Sequence, residues 1–137
     1  VGAALRELGD YGADHGQEIR LEVHGGFSEL PIHHEILHAA DHPNVKSCWN
    51  SNRQDLGGAG LKANFDLVKD HFGQTAHIRA LENEDYPFAE LIGLFVGMDY
   101  DGWLLLEARG DVKPHEVPEK LKHQKAVFDK YVAMAQQ

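Results

Sequence analysis

Four short stretches of this chain set ionisable groups at a spacing that could support chemistry. In EIRLEVH (18–24), Ile19, Leu21 and Val23 alternate with Arg20, Glu22 and His24, the two-residue period of a pleated strand. Residues 44–50 repeat the device, with Val45, Ser47 and Trp49 opposing Lys46, Cys48 and Asn50. Ala76, Ile78 and Ala80 then oppose His77 and Arg79, and Leu104 and Leu106 oppose Leu105, Glu107 and Arg109. Each stretch thus sends polar groups to one face, mostly near its C-terminal end. A parallel sheet is covered on both faces, so such groups do not simply look at water. At the C-terminal ends of parallel barrel strands they would line a catalytic mouth. A different chemistry is offered by HEILH (34–38). It matches H-E-x-x-H, in which two histidines one helical turn apart bind zinc and the glutamate acts as base.

Helices alternating with these strands would have to position them. Residues 1–13 read as a helix with Leu5 and Leu8 on one face, and PIHHEILHAA as a short helix opened by Pro31. A helix over 61–72 carries Leu61, Phe65, Val68 and Phe72 as an apolar stripe. Another over 87–98 carries Phe88, Leu91, Ile92 and Phe95, and Pro118 opens a last helix striped by Leu121, Phe128, Val132 and Ala135. Strand and helix alternating four times predict parallel strands joined by right-handed crossovers.

Composition narrows the partners. The 137 residues suffice for one ordinary core and a single domain over 1–137, and 42% hydrophobic with 26% charged residues is a globular composition. A net charge of −9 without a Lys/Arg cluster argues against a nucleic-acid surface. Cys48 stands alone, so no internal disulfide forms. No apolar run approaches a membrane span and no signal-peptide pattern opens the chain, so the expected location is the cytoplasm. The start at Val1 rather than Met is what a processed, truncated or incompletely recorded piece of something longer would show.

The ordered set of strand ends resembles the second half of the xylose isomerase-like TIM-barrel superfamily, the sugar phosphate isomerases and epimerases. IRLEVHGG is similar to its fifth strand, HPNVKSCWNSN to the sixth, TAHIRAL to the seventh and YDGWLLLEARG to the eighth. The resemblance implies the C-terminal (βα)4 half of a barrel, since a complete one needs roughly 250 residues. It implies metal ligands Glu22, Asn50, His77 and Glu107, a set suited to Mn2+, Mg2+ or Co2+. It also implies that Glu22 and Glu107 act as the acid/base pair that moves a proton beside a carbonyl. The family's usual aspartate is here Asn50, or Asn52 if the register slips by two. A neutral amide oxygen leaves the site two negative charges in place of three, which lowers the expected metal occupancy.

Substrate-binding candidates are His24, Arg53 and Arg109. Arg53 stands where members often have a histidine and would suit a phosphate or carboxylate; a solvated loop residue is the plainer role. His24 fits either a place behind the metal or a hydrogen bond at the strand end, and Trp49 reads as packing more than as a sugar platform. The plainest alternative for Glu22 and Glu107 is neutralisation by Arg20 and Arg109 in a polar mouth. The function expected is therefore a metal-dependent sugar or sugar-phosphate isomerase/epimerase, with a non-catalytic half-barrel binding module as the alternative. Such a half would associate with a second copy or with an N-terminal half. A zinc metalloprotease through HEILH ranks lower. On a helical wheel Ile32, Ile36, Leu37 and Ala40 form the buried face, which leaves His34 and His38 exposed, and a metzincin's third ligand would fall on Asn44.

Overall fold

The computed structural model describes residues 1–107 and 112–137. They form a mixed α/β structure with short parallel strand pairs and, among the described residues, five α-helices. By internal packing the chain forms two compact units, Val1–His77 with Gly102–Leu104, and Ile78–Asp101 with Leu105–Gln137. No helix among the described residues is long and apolar enough to cross a membrane.

In the first unit, α1 (Gly2–Asp14) leads to β1 (Ile19–Glu22), α2 (Leu30–Ala40), β2 (Val45–Cys48) and α3 (Leu61–Val68). The expected strand over 18–24 keeps four ladder residues, as does that over 44–50. β1 and β2 pair in parallel with Ile19 opposite Val45 and Glu22 opposite Cys48. Two isolated parallel bridges, Ser47 with Phe72 and Asn50 with His77, carry the alignment to the chain entering and forming β3 (Thr75–Ile78). Trp103, the first residue of β4 (Trp103–Leu106), donates its N–H to the Gln74 carbonyl at 2.8 Å.

The core gathers Leu5, Leu37, Ala40 and Val45 under Ile19, Leu21 and Ile36. Beyond it Trp49 packs on Phe65 with ring centroids 5.6 Å apart, and Phe65 on Phe72 at 5.1 Å. Each such buried side chain contributes roughly 1.5–3 kcal/mol through removal of apolar surface from water.

In the first unit three helical faces differ from the expected ones. In α1 the buried residues are Leu5, Gly9 and Gly12, while Leu8 is 50% exposed. The glycines let the helix backbone approach the loop before β2: a Cβ on Gly9 would stand 2.5 Å from His42 Nδ1 and 2.9 Å from Val45 Cγ2. In α2 the buried face is Leu30, His33, Leu37 and Ala40, and Ile32 faces out. The stripe of α3 stops at Val68, where the chain tightens into a 3-10 turn over Lys69–His71. The Gly73 N–H must reach the Ser47 carbonyl (2.9 Å), so Phe72 is extended rather than helical.

The second unit contains α4 (Phe88–Gly97) and α5 (Val117–Ala135). Phe88, Leu91, Ile92 and Phe95 are all buried, as their spacing predicts. The stripe of α5 is not the expected one, because Leu121 is 52% exposed and Gln124 is the buried residue. Gln124 accepts the Leu81 N–H at 2.8 Å and donates to Glu82, and the Tyr131 hydroxyl reaches the Leu81 carbonyl at 3.4 Å. A buried loop backbone needs such partners, and the amide outranks an apolar side chain there.

Candidate functional site

The first unit brings together three of the predicted residues at the ends of consecutive parallel strands. Glu22 closes β1, Asn50 lies two residues past β2, and His77 is the third residue of β3. Asn50 is 4% exposed, and its Nδ2 donates to Glu22 Oε1 at 2.8 Å. His77 Nδ1 stands 3.1 Å from the same oxygen and donates to it when the proton is on Nδ1. Backbone pairing fixes the arrangement. The His77 N–H donates to the Trp49 carbonyl at 2.7 Å, and the Ser51 hydroxyl reaches the His77 carbonyl at 3.3 Å. Strand alternation points every second side chain to this face, and for that reason residue phase alone could find the trio.

Asn52, the register-slipped alternative, is engaged elsewhere. Its Nδ2 donates to the Val23 and Asn50 carbonyls at 2.6 and 3.1 Å, and its backbone N–H to Asp55 Oδ2 at 2.8 Å. Neutralisation of Glu22 by Arg20 is not what forms. Arg20 Nε pairs with Glu18, and one terminal nitrogen donates to Thr75 Oγ1 at 3.1 Å. Cys48 is buried, and that burial pushes its thiol pKa up, so it is a poor nucleophile.

His24 is exposed, and its N–H turns back onto the Glu22 carbonyl at 2.9 Å. Arg53 is exposed at the start of the 3-10 turn Arg53–Leu56. Glu107 belongs to the second unit, where it is exposed and its N–H is held by the Ile78 carbonyl at 2.7 Å. Arg109 lies outside the described residues. In HEILH, His38 is exposed as expected but His34 is half-buried, with the two rings stacked at 6.4 Å and 9°.

Sequence reasoning passed over His33, which is fully buried with Nε2 3.0 Å from Ser47 Oγ. The run Leu30, His33, Leu37, Ala40 is the periodicity that could have found it. No family model, curated protein or solved structure matches this chain.

Proposed function

We propose that this chain is the C-terminal half of a xylose isomerase-like barrel and serves a metal-dependent sugar or sugar-phosphate isomerase/epimerase. The observation that carries this reading is the meeting of Asn50 and His77 on one oxygen of Glu22, from three successive parallel strands. Carboxylate, imidazole and amide oxygen together fit a hard or borderline divalent cation rather than a thiolate-seeking one. Glu22, Asn50 and His77 would hold it, and the resemblance adds Glu107. The fit asks one thing of Asn50, which ligates through Oδ1 and must therefore release its hydrogen bond to Glu22. A bound Mn2+, Mg2+ or Co2+ would polarise the substrate's oxygens.

The chain's own residues would do the rest. Both hydrogen bonds fall on Glu22 Oε1, so Oε2 is the atom suited to accept a proton from a carbon beside a carbonyl. Asn50 and His77 orient the carboxylate. The resemblance gives Glu107 the acid role. His24 and Arg53 are exposed at the first two loops and are the groups offered to substrate.

Mn2+ titration by calorimetry, with melting curves in parallel, tests this. Wild type is expected to bind weakly and Glu22→Gln not at all. Asn50→Asp should melt lower than wild type without metal, because two carboxylates then face each other, and should bind Mn2+ about tenfold or more tightly. Absence of Mn2+ binding in both wild type and Asn50→Asp would sink the metal assignment and favour a binding module without turnover.

A further inference from the structure

A second group of potential ligands lies in the first unit, away from Glu22. His34 and His38 stack on one side of α2 with ring centroids 6.4 Å apart, and the His71 ring meets His34 edge-on at 6.0 Å. His38 and His71 also line a groove of about 340 Å3 with Asp41, His42 and Lys46. His34 Nδ1 is buried and, among the described residues, has no hydrogen-bond partner. A buried polar nitrogen without a partner is costly, and a ligand that took it up would recover that cost.

We propose that His34, His38 and His71 form a binding site for Zn2+ that is separate from the Glu22 site. Three imidazoles favour Zn2+ over Mn2+ or Mg2+, the reverse of the preference expected at Glu22. Two histidines one turn apart on a helix supply half of such a site, and the turn after α3 supplies the third. Rings sharing one Zn2+ stand about 5 Å apart between centroids, given a Zn–N bond of about 2.0–2.1 Å. Both measured separations exceed this, so binding must draw the rings together: His38, being exposed, can swing, and the half-buried His71 must shift toward His34. Lys46 weakens the site for a cation, and Asp41 beside the groove, which also pairs with Arg6, offsets it only in part. No proteolysis is implied, since the site asks nothing of Glu35, which is exposed.

Zn2+ titration against a chromophoric chelator, with Co2+ absorption as a second readout, tests the proposal. In Glu22→Gln, whose Glu22 site takes up no metal, one Zn2+ should bind per chain, and Co2+ should give the intense visible bands of a four-coordinate site. His38→Gln and His71→Gln should each weaken Zn2+ binding about tenfold or more, while Glu22→Gln should leave it in place. The exposed His38 variant keeps the test open should His71→Gln fail to fold. Binding within about twofold of wild type in a folded His38 or His71 variant would overturn the site. So would loss of Zn2+ in Glu22→Gln, or a faint octahedral Co2+ spectrum in that variant, whose Glu22 site takes up no metal.

Discussion

His33 sits under α2 against β2 with its imidazole fully buried and bonded to Ser47. Burial lowers its pKa from 6.5 to about 4, with the Phe27 backbone pulling the other way. The unfolded chain therefore binds one more proton than the folded one between these values, and stability must fall as pH drops through that window. The shift corresponds to about 3 kcal/mol at full effect. Urea melts in EDTA at pH 7 and pH 4.5 should show wild type losing clearly more stability than His33→Gln; equal losses would contradict the burial. The same residue marks where sequence lost legibility. An imidazole next to Ile32 counts as polar by type, and only the Ser47 hydroxyl across the interface makes it a core residue. Glu22, Asn50 and His77 were legible because strand phase alone brings them to one face. That Asn50 rather than Asn52 meets Glu22 depends on loop hydrogen bonds that the sequence does not display.

At the scale of elements, periodicity located the five α-helices and four strands of the described residues but not the 3-10 turns, and failed mainly in deciding which face is inside. Residue type suggested Leu8 in α1, but the helix packs through Gly9 and Gly12, where absence of a side chain is the contact. A Cβ on Gly12 would stand 2.7 Å from the Gln17 carbonyl oxygen, a backbone atom that cannot step aside. Gly12→Ala should therefore cost roughly 1–3 kcal/mol through overpacking, outweighing the ~1 kcal/mol of helix propensity gained. Gly97 in α4 has nothing within 4 Å of the same position, so Gly97→Ala should be neutral or raise the melting temperature. Thermal melts of both variants check the contrast, and a stabilised Gly12→Ala would refute the close approach. In α5, Gln124 shows the complementary failure, because the Leu81 N–H and the Glu82 carboxylate chose the buried residue and the hydrophobic stripe did not.

For the molecule as a whole, the strand edge matters most. β1 pairs with β2 on one side, and among the described residues no strand stands on the other. The alternation of a parallel ladder turns the Arg20 N–H to that open side, which is a template for another strand. Trp103 is 71% exposed on β4, more apolar surface than a single tryptophan ordinarily shows to water. In the proposed half-barrel, both features are surfaces that an N-terminal half would cover. We expect the purified chain to associate, with two copies pairing through their β1 edges, and light scattering to rise from monomer to dimer mass with concentration. Arg20→Pro removes the outward N–H without touching the bonds to β2, and should shift the chain to monomer. Arg20→Thr, which also loses the contacts to Glu18 and Thr75 but keeps the N–H, should still associate. Turnover is a separate matter, because under the proposed function a substrate must be gripped from both sides to hold its C–H against Glu22. The chain alone should therefore incorporate no solvent deuterium into common ketoses. A monomer at all concentrations would refute the edge argument, and deuterium exchange by that monomer would show that this half suffices for proton transfer.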